Sequence, residues 1–370
     1  MAVLTEEQGM LRDAAKAWVQ EKSPVTAFRK VRDSGNADGF DRAAWREMAE
    51  MGWSGILIPE EFGGTGLGYL TLGLVLEEAG RTLTASPLIS TALTATTALL
   101  LGGNDAQKKE WLPKIAEGAI VATLAVDEGA HHHPGKIELK AAKNGSGYTL
   151  SGKKTFVLDG GSADLIVVAA NTGKGVTLFL VNGDAKGLTK QRLHSVDSRG
   201  MANLIFDNVA ADSVLGTEDQ GAALLEKILD RARAGLAAEM VGTATQAFET
   251  TLDYLKTRTQ FGQLIGTFQA LQHRAAKMYT DLELTRSCVE AALSAIDREA
   301  NDVPQLVSLA KARASETLHT VSNEMVQMHG GIGMTDAHDA GLYLKRARVA
   351  EATWGGASFH RDRYATLLEY

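Results

Sequence analysis

Arg258-Thr259-Gln260-Phe261-Gly262-Gln263-Leu264-Ile265-Gly266-Thr267-Phe268-Gln269 gathers a guanidinium, an aromatic ring, a turn glycine and an amide between two segments of helical period. A planar guanidinium with amide donors nearby is chemistry that grips a diphosphate. A solvated corner between two helices accounts for the same residues, and the segment alone does not choose between these readings. The glycine-rich runs Gly63-Gly64-Thr65-Gly66-Leu67-Gly68 and Gly330-Gly331-Ile332-Gly333 lack the spacing and the strand-to-helix setting of a dinucleotide fingerprint, and read as turns. Three consecutive histidines, His131-His132-His133, point in different directions, whereas chelation prefers spacing of two or four residues. They read as a solvated loop, with a metal site as the alternative. The single cysteine, Cys288, allows no internal disulfide, reads as a small apolar residue on a helix, and fits a cytoplasmic protein.

The elements that must position such residues follow from composition and period. The chain has 370 residues, 45% hydrophobic and 22% charged, with a formal net charge of −7. That composition excludes a disordered chain, and the interspersed charges leave no basic stripe for nucleic acid. The start, Met1-Ala2-Val3-Leu4-Thr5-Glu6-Glu7-Gln8, carries no leader pattern, and no apolar stretch is long enough for a membrane span, so a soluble protein is expected. Thr5 with Gln8 forms a capping box, and helical period then runs to about residue 118. Residues 119–216 turn to short Val-, Ile- and Thr-rich runs separated by turn signals such as Lys143-Asn144-Gly145-Ser146-Gly147. With no helical period between these runs, an antiparallel sheet or small barrel is expected, since parallel strands need crossovers. Residues 217–370 return to long helices, with 222–257, 267–299, 303–329 and 341–348 as the strongest. The class is α+β: an N-terminal helical domain (1–118), a central antiparallel β-barrel or sheet (119–216) and a C-terminal four-helix bundle (217–370).

The Arg-x-x-Phe-Gly cluster, Gln327-Met328-His329-Gly330-Gly331-Ile332-Gly333, the strand Gly152-Lys153-Lys154-Thr155-Phe156, Pro59-Glu60-Glu61-Phe62-Gly63-Gly64 and the 107–113 segment occur in the order found in acyl-CoA dehydrogenases. From Leu4 to the C-terminus the chain resembles that family. His338-Asp339 and Leu342-Tyr343-Leu344-Lys345-Arg346-Ala347 are most similar to bacterial members built of unequal subunits, acting on steroid side chains or dicarboxylic acyl-CoAs. The resemblance implies FAD, an acyl-CoA substrate and an electron-transferring flavoprotein as acceptor. It also implies a flavin ring touched by positions matching Val126, Asp127, Phe156 and Leu158. A neighbouring subunit grips the far end of the cofactor through positions matching Arg258, Phe261, Gly262, Gln269, Gln327, Gly330 and Gly331. Arg233 matches a helix arginine near the acyl-CoA site.

The family reaction takes an α-proton from the thioester while the β-hydrogen leaves as hydride, and a positioned carboxylate must accept the proton. Set against the two usual base positions, this chain has Trp354 in one and Ala232 in the other. Indole accepts no proton at neutral pH. Leu158 replaces a hydroxyl residue, and Asp127-Glu128-Gly129-Ala130-His131-His132-His133-Pro134 stands where the family has Thr-Glu-Pro-Gly-Ala-Gly-Ser-Asp. If ionised, Asp127 would oppose charge building on a reduced ring. The ring side has thus departed from the family pattern while the distal grip is intact. This asymmetry implies a non-catalytic or half-site subunit of an α2β2 heteromer with a homologous dehydrogenase. The alternatives are a self-sufficient enzyme with an unusual base, a structural subunit, or an oxygen-linked flavin reaction. Glu239, seven residues past Ala232 and about 10 Å along the same helix face at about 1.5 Å per residue, is the candidate base; an ion pair in the bundle is its other reading. Glu351, one turn before Trp354, reads as a surface or interface carboxylate.

Overall fold

The structure, a computed structural model, describes residues 4–145 and 147–370. The first three residues and Ser146 lie outside the described residues, and with them part of the turn signal at 143–147. Helices open the chain: α1 (Glu6–Lys22), α2 (Val25–Asp33), α3 (Arg42–Glu50), α4 (Gly68–Arg81), a π-helical stretch Leu88–Ala95 leading into α5 (Thr96–Gly102), and α6 (Asp105–Ala116). The capping box of α1 is present, with the Gln8 amide donating to Thr5 Oγ1 at 3.2 Å and the Thr5 amide donating to Gln8 Oε1 at 3.1 Å. A second box, Asn104 with Gln107, starts α6. The helical period over 89–101 resolves into a π-helical stretch followed by α5, every residue of the former being buried. Three hydroxyls there turn inward: Thr91 donates to the Ala122 carbonyl, Thr94 to the Ile89 carbonyl and Ser90 to Asp159.

The strands are β1 (Ala122–Ala125), β2 (Lys140–Asn144), β3 (Gly147–Leu158), β4 (Leu165–Asn171), β5 (Val176–Asn182), β6 (Leu188–Arg192), β7 (Met201–Ala211) and β8 (Ser213–Leu215). They form one sheet in the order β6-β7-β3-β2-β4-β5-β8, with β1 beside β4. Of the expected antiparallel sheet or barrel, the sheet is the one formed, with two refinements. The sheet is open, and it is mixed, because β1 runs parallel to β4 in register from Ala122↔Leu165, and β2 meets β4 in the parallel sense. The β2–β3 hairpin lies between β1 and β4 in sequence and supplies the crossover that a helix usually makes. The central strand β4 is buried along all but its last residue, which suits its unbroken apolar run. Leu150, Val157, Ile166, Phe179 and Leu204 lie in the core of the sheet, and the rings of Tyr148 and Phe179 meet edge-on at 5.2 Å.

After the sheet come α7 (Gly221–Thr257), a two-stranded hairpin of β9 (Thr259–Gln260) and β10 (Gln263–Leu264), α8 (Gln269–Asp297), α9 (Val303–His329), α10 (Ala340–Ala352) and α11 (Ala357–Leu367). The last helix carries no strong period and is missed by pattern alone. Helix α9 packs against α8, α10 and α11.

The chain divides into two compact units. One comprises residues 28–72 and 85–232 and contains the sheet. The other comprises residues 1–27, 73–84 and 233–370 and contains the C-terminal helices. Within the helical unit, α4 and α7 approach backbone to backbone. A Cβ at Gly242 would lie 1.8 Å from the Glu77 carbonyl oxygen, and one at Gly80 would lie 2.2 Å from that of Glu239. Arg286 anchors the same crossing through an ion pair with Glu77. Gly242→Ala is therefore expected to force the helices apart and cost about 1–3 kcal/mol or more, read as a lowered midpoint in urea unfolding.

Candidate functional site

Each unit carries part of the constellation read from sequence. In the helical unit the diphosphate cluster folds as a tight hairpin. Gln260 pairs with Gln263, and the two residues between them, Phe261 at φ 54° and Gly262 at φ 78°, both adopt left-handed backbone. That is the mirror-image turn which matches strand twist, and glycine or asparagine are its usual occupants. A phenylalanine there is strained by about 1–3 kcal/mol, yet its ring is 90% exposed, touching only Phe268 edge-on at 6.1 Å among aromatic neighbours. Arg258, Gln269, Gln327, Gly330 and Gly331 are exposed as well. Ideal Cβ atoms at Gly262, Gly330 and Gly331 meet nothing within 4 Å, so a ligand can approach the backbone there, although the Gly330 amide itself caps α9 on the Gln327 carbonyl. Behind them, His329 is buried, stacks 4.3 Å from both Tyr254 and His338, and is held at Nδ1 by the Met325 carbonyl at 2.6 Å. These residues suit the diphosphate end of a flavin cofactor.

The turn after α10 is built differently. Trp354 is left-handed at φ 54°, and Gly355 follows at φ 102°, where a Cβ would lie 2.4 Å from Phe359. Three buried side chains from three helices hold the backbone. Arg233 Nε donates to the Trp354 carbonyl at 3.2 Å, and His360 Nε2 reaches the same oxygen at 3.1 Å. Because a carbonyl only accepts, His360 is protonated at Nε2, and burial beside Lys311 and Arg233 pushes its pKa down to about 2. Lys311 Nζ donates to the carbonyls of Ala350, Glu351 and Gly355 at 3.1, 3.2 and 3.0 Å, filling acceptors left open at the end of α10. Full burial, reinforced by the Arg233 charge, lowers the Lys311 pKa to about 7. Sequence gave no signal for Lys311 or His360, because their partners lie on distant segments.

The residues matched to the two base positions are buried, and both carboxylates weighed as substitutes are paired. Trp354 is 7% exposed, and Ala232 is fully buried. Glu239 is engaged by Arg346 in a bidentate pair, Nε to Oε1 and Nη2 to Oε2, both at 2.9 Å. Glu351 accepts from Arg348 Nη1 at 2.8 Å and lies 3.1 Å from His319 Nδ1. Arg233 is fully buried, with its guanidinium over the Phe359 ring at 5.5 Å. Cys288 is only half-buried on α8.

In the sheet unit, β3 bulges between Lys154 and Val157, leaving Phe156 at φ 53° and half exposed, its amide accepted by Asn203 Oδ1 at 3.3 Å. Leu158 offers no hydroxyl, and its carbonyl is taken by Thr123 Oγ1 at 2.6 Å. The loop after β1 is knitted to the bulge. Lys154 Nζ, fully buried, donates to the Val126 carbonyl at 2.9 Å and to Glu128 Oε1 at 2.6 Å, and the Thr155 amide donates to the Asp127 carbonyl at 2.7 Å. Burial pulls the Lys154 pKa down to about 8 against the opposing pull of Glu128. Glu128 also accepts from the amides of Glu138 and Leu139. The three histidines do not share a solvated loop: His131 and His133 are exposed, but the His132 side chain, 3% exposed, turns onto Asp127, with Nδ1 at 2.8 and 3.0 Å from its two carboxylate oxygens. No cluster suited to a metal ion occurs among the described residues. A flavin ring does not fit this set as it stands: the matching side chain is an acid closed by an imidazole, and the hydroxyl position is an alkane.

Three family models match the chain in succession: acyl-CoA dehydrogenase N-terminal domain over residues 5–119, middle domain over 122–209 and C-terminal domain over 219–366. Isovaleryl-CoA dehydrogenase, mitochondrial, of Pongo abelii is 32% identical, covering 97% of this chain and 88% of its own. Acyl-CoA dehydrogenase IpdE2 of Mycolicibacterium smegmatis is 33% identical and covers 93% of each. Among solved structures, a Tcur3481-Tcur3483 steroid ACAD variant matches with a TM-score of 0.91 at 33% identity, over 98% of both chains. The chain belongs to the acyl-CoA dehydrogenase family, oxidoreductases that act on the CH–CH group of acyl-CoA thioesters. Membership implies a flavin cofactor. Among the described residues no helix is long and apolar enough to cross a membrane.

Two outcomes are expected. Glu239→Ala strands the Arg346 guanidinium in the bundle and should cost about 3–5 kcal/mol in a denaturant titration. For Lys311 the sign follows from its lowered pKa: the folded chain releases a proton near pH 7 that the unfolded chain keeps to its ordinary lysine value. Stability therefore rises with pH from about 7 towards 10, and Lys311→Met should remove that rise in parallel melts.

Proposed function

We propose that this chain is the half-site subunit of a heteromeric FAD-dependent acyl-CoA dehydrogenase that desaturates an acyl-CoA thioester at the α,β bond. In this reading it assembles with a homologous dehydrogenase subunit as α2β2, lends its distal grip to a flavin seated in that partner, and carries out no proton abstraction itself. One contrast carries the reading: the segment around Arg258 is exposed, with Phe261 in left-handed backbone, while position 354 is a tryptophan and the candidate carboxylate Glu239 is engaged by Arg346.

The chemistry makes the division intelligible. Flavin, when bound, accepts hydride from the β-carbon. The α-proton needs an acceptor with a lone pair at the thioester, and neither an indole nor an alanine methyl has one. What this chain can do is bind and orient. Arg258 presents fixed donors to a diphosphate, and the lack of side chains at Gly330 and Gly331 lets its oxygens approach the backbone. Similarity to a Tcur3481-Tcur3483 steroid ACAD supports a paired assembly and a steroid-type acyl group. The remaining parts of the reading are three domains at 1–118, 119–216 and 217–370, a cytoplasmic setting and an electron-transferring flavoprotein as acceptor.

A self-sufficient enzyme using Glu239 has less support, because removing a proton would require that carboxylate to leave Arg346 inside a buried pair. The test is to purify the chain alone and together with a candidate homologous subunit, then measure bound FAD and anaerobic bleaching by acyl-CoA. Bleaching is expected only in the complex, and full flavin with full turnover in the isolated chain would overturn the proposal. Within the complex, Arg258→Ala in this chain should weaken flavin retention about tenfold or more while leaving the fold unchanged by circular dichroism.

A further inference from the structure

The ring side of this chain is more than a set of missing contacts. We infer that the Asp127–His132 pair closes it, so that the loop after β1 occupies with its own side chains the place where a flavin ring would be received. This inference rests on the half-site reading above.

Three observations converge. By the resemblance, Asp127 matches a position expected to touch the ring, and its carboxylate is bound by His132 Nδ1 through both oxygens at 2.8 and 3.0 Å. The imidazole side chain is 3% exposed and that of Asp127 18%, so the pair is largely covered rather than solvated. The loop cannot easily swing away as a whole, because Lys154 ties Val126 and Glu128 from below, Glu128 ties the amides of Glu138 and Leu139, and Thr155 Oγ1 holds the Gly129 carbonyl at 3.1 Å. Those ties involve neither the Asp127 carboxylate nor His132. The anchored segment is thus a frame, and Asp127 with His132 is the stopper set into it. An imidazole bonded to a carboxylate is also a poor bed for an isoalloxazine, whose pyrimidine edge needs free amide donors and whose reduced form carries negative charge.

If the stopper is what excludes the ring, removing it while keeping the frame should open the second site. The experiment co-purifies this chain with its candidate homologous subunit and counts FAD per αβ pair by absorbance after denaturation. The parent complex is expected to hold about one flavin per pair, and Asp127→Thr combined with His132→Gly about two, with the added flavin raising the melting temperature. A folded double variant that stays at one overturns the inference, whereas a parent complex already holding two overturns the half-site reading itself. Should the double variant fail to assemble, the smaller change Asp127→Asn with His132→Ala carries the test: it removes both the carboxylate and the imidazole, and flavin titration must show a second binding phase that the parent lacks. A single phase in that assembled complex overturns the inference.

Discussion

The turn between α10 and α11 depends on buried cations meeting main-chain oxygens. A lysine ammonium with no water around it is costly, and the carbonyls that end a helix are equally costly when left without donors. Lys311 solves both problems at once by donating to Ala350, Glu351 and Gly355. Arg233 and His360 complete the arrangement on the Trp354 carbonyl. The backbone of residue 354 is therefore fixed through its carbonyl and its neighbours, without reference to the side chain it bears. That is why a scaffold of this kind can hold a tryptophan where relatives are expected to hold an acid: nothing in the hydrogen bonding of the turn requires a carboxylate.

The same separation of frame from function recurs in the sheet unit. Lys154, buried in the β3 bulge, takes a backbone carbonyl and the Glu128 carboxylate, and Glu128 passes the constraint to the start of β2 through two amides. Strand β3 accommodates this through two register shifts, which break its alternation and place Lys154 and Thr155 inward in succession. Around that frame the side chains facing a cofactor are free to change, and here they are an acid and a histidine bonded to each other. Glu239 and Arg346 tell a parallel story in the helical unit, where an acid on a catalytically suggestive helix face serves to neutralise a buried guanidinium.

These features give the half-site reading its physical content. The residues read as a distal grip are exposed on the helical unit, and one of them, Phe261, is 90% exposed with left-handed backbone. Elements that would carry proton transfer or bear on a ring are closed, replaced or consumed by internal pairs.

What the sequence determined by itself is local. The capping boxes, the long helical periods, the turn glycines and the absence of a proton acceptor at 232 and 354 depend on residues within about a turn of one another, or on residue type alone, and each is readable without coordinates. The tertiary structure decided what depends on distant partners. The parallel pairing of β1 with β4 is invisible because a hairpin, not a helix, makes the crossover. His132 reads as solvated until Asp127 is seen beside it, Glu239 reads as a base or as half of an ion pair until Arg346, 107 residues away, is seen to hold it, and Lys311 has no local signature at all because its acceptors are main-chain oxygens. Residue type and short spacing encode what a segment can form; only packing in a water-poor interior decides which charged groups must satisfy one another, and therefore which remain available for chemistry.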